Sequence, residues 1–231
     1  MQGHVSILSV SPEAAAMIAS GGRISTMDGT ADEIYANSLS AGQEKNEKLI
    51  GKVLSSGHTS VLEHCYVNLS FENVSVLAEQ FLIEFRLASF TVKSRRYVDF
   101  SKAGYVSPVF TANVQMAIFE RTVESLFGTY DVLEAAGVPK EDARFVLPYC
   151  FCSNFFCSMN ARELVHVMNE LAYGRGSRIP ELRALGESLF AQCEQQIPFL
   201  AVRKPEAYRQ SDAFCLRQVQ LLTSKAPVTG L

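Results

Sequence analysis

The chain has 231 residues, 21 basic against 24 acidic, for a formal net charge of −3. That length suits one domain with ample material for a core, and the slight acidic excess excludes a general nucleic-acid surface, which carries a basic surplus. The longest apolar runs are far too short to span a bilayer, and the first residues lack the basic and then apolar pattern of a secretory signal. Six cysteines without a CxxC pair, and four histidines without metal-ligand spacing, predict reduced buried thiols in a cytoplasmic setting and no structural metal site.

In chain order, Val5 to Val10 read as a first strand. Thr30 followed by Glu33 is a capping box that opens helical segments to about Ser56, with Leu49, Ile50, Val53 and Leu54 as the apolar stripe and Gly57 as the stop. Val67, Leu69 and Phe71 alternate with Asn68, Ser70 and Glu72, the period of a strand with one buried face. Ser75 then precedes a helix carrying Val76, Leu77, Phe81 and Phe85, with Arg86 near its end. From Phe90 to Val106 the helical period is lost, and Tyr97, Val98 and Phe100 predict a loop and a strand. A long helix follows from about Ala112 to Ala136, ending at Gly137.

Pro139 suits the first turn of the next helix, with Glu141 and Asp142 beside its positive end and Pro148 closing it. Residues 149 to 158, aromatic and cysteine-rich, read as a buried strand. Asn160 and Glu163 form a capping arrangement for a helix in which Leu164, Val167, Met168 and Leu171 keep the 3.6 period to Gly174. Pro180 opens a helix to about Gln196, and the tail beyond Pro198 is expected to be helical in part and frayed from Ala226. With no internal repeat or linker, residues 1–231 read as a single domain with a C-terminal extension from about 203. The mixed order of strands and helices gives an α+β class, a mixed sheet flanked by helices.

The stretch from Glu84 to Arg96 packs four cations (Arg86, Lys93, Arg95, Arg96) and two serines into thirteen residues. Arginine forks donate paired hydrogen bonds to planar oxyanions, and serine hydroxyls complete such a cradle. The same composition also describes a solvated helix end with a basic loop. Arg144 sits among Phe145, Val146 and Leu147, where a charge is costly unless it is paired or faces a ligand. Glu141 is the structural partner that competes with a ligand for it.

Arg86, seven residues, Ser94, one residue and Arg96 resembles the signature of flavin-dependent thymidylate synthases, which reads Arg-His-Arg, seven residues, Ser, usually with Arg two places on. Three further segments resemble that family in the expected order: Gly57 to His64, Val138 to Pro148, and Ser158 to Leu164 with its Asn160-Ala161-Arg162 motif. The resemblance implies the family's fold and a reaction in which a bound FAD takes hydride from NADPH, methylenetetrahydrofolate supplies one carbon, and dUMP becomes dTMP. It implies a homotetramer with active sites formed between subunits, and no protein nucleophile, so no catalytic residue is named. Residue by residue, it implies that Ser60, Glu63, Arg86, Asn160 and Arg162 contact flavin, with His166 where an Asn often does so. It implies that Ser94, Arg95, Arg96 and Arg144 hold the nucleotide.

The match breaks at several positions. Glu84 replaces an Arg, and a carboxylate about 4 Å from a phosphate costs roughly 4 kcal/mol at an effective dielectric of 20. Phe85 replaces His, Val92 stands where Glu is usual, and Gln80 lies one residue early. Leu171 replaces an Arg thought to polarise the uracil ring, and here it completes an apolar stripe that reads as core. Three functions are therefore compatible with the chain: a divergent thymidylate synthase, a non-catalytic paralogue that binds flavin or nucleotide, and a flavoenzyme acting on another anionic substrate.

Overall fold

In the computed structural model, which describes residues 3–224 (the side chains of 221–224 excepted), the chain divides into two compact units. Each is assembled from two separated stretches: Met1–Pro12 with Cys65–Asn160, and Glu13–His64 with Ala161–Leu231. The α+β class expected from the element order is the class observed, but the expected mixed sheet is antiparallel throughout.

The first unit is built on a four-stranded sheet. Its strands are β1 (His4–Val10), β2 (Tyr66–Ser75), β3 (Ala88–Val92) and β4 (Cys152–Asn160), in the order β1-β2-β4-β3 with every pair antiparallel. The alternation in β2 is realised in part: Val67, Leu69 and Phe71 are buried and Asn68 and Glu72 exposed, but Ser70, expected outward, is buried too. Phe71 lies opposite Phe155 of β4, and their rings stack at 4.7 Å between centroids. A register shift follows Phe71, where Asn73 adopts φ 53° and its N–H donates to Asn154 Oδ1 at 2.9 Å.

Ser75 caps α4 (Val76–Ile83) as its position predicts, accepting from the Ala78 N–H at 3.0 Å. The helix then stops earlier than its apolar pattern suggests. Glu84, Arg86 and Leu87 lie in the turn to β3, with Phe85 buried between them against Phe81. The strand expected around Tyr97 to Phe100 lies instead at Ala88–Val92, where Ser89 and Thr91 are exposed and Ala88, Phe90 and Val92 are half-buried. That period-two pattern decides the strand, whereas Tyr97 is 82% exposed in a loop.

α5 (Asn113–Ala135) matches the long helix, and Gly137 beyond it takes φ 83°, a backbone open to glycine at little cost. α6 is short, Lys140–Ala143, and passes into a 3-10 turn at Arg144–Val146. Pro148 explains this: it pushes Leu147 into extended backbone, ψ 132°, so a regular helix cannot continue. Tyr130 of α5, Phe100, Ala143, Leu147, Phe151 and Val76 form a local core beneath these elements.

The second unit is helical. It contains α1 (Ala14–Arg23), α2 (Ala31–Ala41), α3 (Gln43–Ser55), a 3-10 turn (Thr59–His64), α7 (Ala161–Ala172), α8 (Pro180–Gln196) and α9 (Pro205–Ser224). The capping box is present: Thr30 N–H donates to Glu33 Oε2 at 2.8 Å, and Glu33 N–H to Thr30 Oγ1 at 3.3 Å. α8 begins and ends where Pro180 and Gln196 predict. On α7, Leu164, Val167, Met168 and Leu171 are all buried, and α8 crosses close over the last of them. A Cβ on Gly186 would stand 2.8 Å from Leu171 Cβ.

The partly helical tail expected beyond Pro198 is present as a 3-10 turn at Pro198–Leu200 and as α9, while the fraying expected from Ala226 lies outside the described residues. None of the six cysteines, all among the described residues, is in a disulfide. Cys152 and Cys157 are buried as expected, but Cys150 is only half-buried and lies before β4. No described helix is long and apolar enough to cross a membrane.

Candidate functional site

In the second unit, four of the sequence-selected residues lie close together. In a 3-10 turn, side chains three apart eclipse one another, so Ser60 and Glu63 share one face of Thr59–His64 while Thr59 and Leu62 share the next. Arg162, in the first turn of α7, reaches that face: its Nη1 stands 2.5 Å from Glu63 Oε1. His166 is one turn further along the same face of α7. Its Nδ1 lies 2.8 Å from Tyr208 Oη of α9, and the two rings are 5.6 Å apart. Burial pushes the Tyr208 phenol up to about 12, so at neutral pH it meets the imidazole as a protonated hydroxyl.

Beside this face is a mainly apolar cleft of about 500 Å³, lined in part by Thr59, Leu62, Val165, Phe199, Val202 and Lys204. Gly51 is also on its wall, and nothing lies within 4 Å of where its Cβ would be. Arg203, on the rim, is already committed to Glu187, Glu194 and the Tyr173 hydroxyl, with its guanidinium 4.1 Å from the centre of the Phe190 ring.

In the first unit, the loop after β3 carries Ser94, Arg95 and Arg96. The Arg96 N–H donates to Ser94 Oγ at 3.2 Å, which is a serine-stabilised turn. Arg96 Nε lies 3.2 Å from Glu141 Oε2, and Arg144 Nε donates to the Glu141 carbonyl at 2.9 Å. Arg96 and Arg144 thus meet at Glu141, although they lie about fifty residues apart in the chain, and Ser94 is tied to Arg96 by its own turn. Arg96 is exposed and Arg144 is half-buried.

Arg95 points the other way. Its Nη2 donates to Glu79 Oε2 at 2.6 Å, and Glu79 also accepts from the Ser153 hydroxyl. Asn160 closes β4, opposite Tyr66, and directly precedes α7. Arg86 is exposed in the turn before β3, at the opposite end of that strand from Ser94. At about 3.3 Å per residue, a five-residue strand keeps those two turns roughly 13 Å apart.

Sequence reasoning missed Glu79, Ser153 and Tyr208. A lone Glu on an apolar helix face was the signal for the first, since a buried carboxylate requires a partner. Tyr208 carries no local signal, because its role depends on how the extension folds back.

The family model described as thymidylate synthase complementing protein matches residues 6–199. A flavin-dependent thymidylate synthase of Nitratidesulfovibrio vulgaris is 31% identical over 209 residues, covering 85% of this chain and 84% of that protein. The protein of the same name from Geobacter sulfurreducens is 34% identical over 166 residues, 70% of each. Among solved structures, the UMP/dUMP methylase PolB of Streptomyces cacaoi, bound with 5-Br dUMP, is similar with a TM-score of 0.70 and 21% identity. It covers 87% of this chain and 93% of that one, a likeness of fold. α9 lies beyond the segment that the family model matches.

Proposed function

Because the chain belongs to the family of flavin-dependent thymidylate synthases, we propose that it binds FAD and dUMP and forms dTMP, with methylenetetrahydrofolate as carbon donor and NADPH as reductant. The observation that carries this reading is the meeting of Arg96 and Arg144 at Glu141, with the Ser94 hydroxyl fixed beside Arg96 by the turn they share. Two arginine forks and a hydroxyl are the donor set that a phosphate monoester needs.

The residues present suit an anionic dinucleotide on the other side of the reaction. Arg86 and Arg162 are exposed cations and Ser60 is an exposed hydroxyl. The apolar cleft adjoining the Ser60 and Glu63 face has the dimensions and lining for a flat aromatic ring. Ser60, Arg86, Asn160, Arg162 and His166 would hold the flavin. Glu63 holds one edge of Arg162, which fixes the direction in which the guanidinium presents its remaining donors. When bound, the flavin supplies the redox chemistry. The chain's own work is to neutralise charge, orient the nucleotide and limit water. The separation of Arg86 from the Ser94 loop favours a site completed by a second copy, in keeping with a homotetramer. A cytoplasmic setting accords with six cysteines outside any disulfide.

A second reading, a paralogue that binds ligand without turnover, is favoured by one observation. Leu171 is 0% exposed, sealed beneath Gly186, where the resemblance implies an Arg on the base. Purified protein loaded with FAD, then given dUMP, methylenetetrahydrofolate and NADPH, separates the two. Formation of dTMP supports the synthase. Tight dUMP binding without dTMP supports the binding paralogue. A colourless protein that binds neither FAD nor dUMP overturns both.

A further inference from the structure

Arg95 stands between Ser94 and Arg96, the two residues offered to the nucleotide phosphate, yet its side chain turns inward. It is 19% exposed, and its partner Glu79 is 2% exposed. Glu79 Oε2 accepts from Arg95 Nη2 at 2.6 Å and from the Ser153 hydroxyl, and Oε1 accepts from Gln80 Nε2 at 3.2 Å. The guanidinium also lies 5.2 Å from the centre of the Phe151 ring. Its Nε is buried without a hydrogen-bond partner, so that donor is closed to a ligand arriving from water. The Lys93 N–H bonds to the Asn154 carbonyl at 3.0 Å, and the Val98 N–H to the Ser94 carbonyl at 3.1 Å, so the loop is fastened on both sides of Arg95.

We propose that Arg95 is a positioning residue: anchored by Glu79 and Ser153, it fixes the loop so that Ser94 and Arg96 present their donors to the phosphate. This rests on the dUMP-binding reading above. The physical reason is that the middle residue of the three is pinned inward by a charge pair that water barely reaches, which restricts the backbone conformations open to the residues on either side of it. A buried ion pair adds little net stability but is costly to break from one side, because the remaining charge is stranded. Such a pair is therefore a strong determinant of geometry. Lysine would not replace Arg95, because it lacks the planar fork that bonds Glu79 while stacking on Phe151.

The test uses the full chain as Glu79→Gln, Arg95→Met and the double variant, with two readouts. Hydrogen exchange of the peptide covering residues 93–98 reports the anchor itself, and dUMP titration reports its consequence. Each single variant is expected to speed exchange in that peptide while the β2 and β4 amides stay protected. Each is also expected to weaken dUMP binding by about tenfold, the scale on which outer supporting contacts act at other sites. The double variant removes both charges and lets the introduced thioether side chain pack on Phe151. It is expected to regain most of the loop protection and to come within about threefold of the parent's affinity, since replacing a buried pair by uncharged groups is often near neutral.

A double variant with restored protection but unrecovered affinity would mean that Arg95 touches the ligand itself, which overturns the proposal. Unchanged exchange in both single variants would overturn it as well. If the parent does not bind dUMP, the functional reading fails, while the exchange arm still decides whether the anchor orders the loop.

Discussion

Glu63 and Arg162, 99 positions apart in the chain, meet with Oε1 and Nη1 2.5 Å from each other. Both side chains are roughly half exposed, so water screens the pair and its share of folding stability is at most about 1 kcal/mol. The pair matters more for direction, since one carboxylate fixes where the guanidinium aims. Arg162→Ala is expected to leave the thermal midpoint nearly unchanged while flavin affinity falls about tenfold or more, the equivalent of one charge-assisted hydrogen bond. Flavin fluorescence quenching beside a melting curve checks it. A large loss of stability with affinity retained would refute the assignment.

Glu141 holds Arg144 through its carbonyl and Arg96 through its carboxylate. A phosphate approaching Arg96 competes with that carboxylate. Glu141→Gln is therefore expected to tighten dUMP binding by a few-fold, because an amide competes less well than a carboxylate. Arg144→Ala is expected to weaken binding by about tenfold or more with the fold intact. Calorimetric titration of the two variants should move in opposite directions.

Leu171 has no room for a charged replacement. Leu171→Arg would bury an unpaired guanidinium under α8, and soluble folded protein is expected to be lost. Gly186→Ala places a methyl 2.8 Å from Leu171 Cβ, an overpacking expected to cost about 1–3 kcal/mol in denaturant unfolding. Catalytic repair by Leu171→Arg is thus expected to fail on stability, whatever the chemistry at the site.

Tyr208 supplies a pH dependence. The folded protein keeps its phenol proton up to about 12 because burial disfavours the phenolate. The unfolded chain releases that proton first, as pH rises past about 10. Folding stability from this group is intact below about pH 10 and is lost between about 10 and 12. Tyr208→Phe should flatten the decline over that window, read as the pH profile of the unfolding midpoint. A parallel decline in the variant would rule out Tyr208 as its source.

Local signals were sufficient where one residue type dictates the backbone. Thr30, Ser75, Gly137 and Pro180 each mark a helix boundary in the structure as they do in the sequence. α1 is different. It starts from Glu13 in a left-handed conformation with no side-chain cap, and it contains Gly21 and Gly22. These glycines are poor helix formers, but they allow close packing: a Cβ at Gly21 would stand 3.2 Å from the His64 ring, and one at Gly22 3.2 Å from Val53. Tertiary contact outweighs propensity there. At the site, the resemblance selected Glu63, Arg96, Arg144 and Arg162, and the structure pairs Glu63 with Arg162 and brings Arg96 and Arg144 to Glu141. The inward turn of Arg95 was not legible, because nothing local distinguishes it from its neighbour Arg96; the difference is made by Glu79 and Ser153, sixteen and fifty-eight residues away.

Neither unit is continuous in sequence. On the ribosome, α1, α2 and α3 are made early, but α7 and α8, which complete their unit, emerge only after about a hundred further residues. The early helices must wait with apolar faces uncovered, and the sheet likewise lacks β4, which pairs with both β2 and β3, until residues near 160 are synthesised. Nascent chains cut short before that point should be unable to complete either unit, so folding has to follow synthesis of β4 and α7.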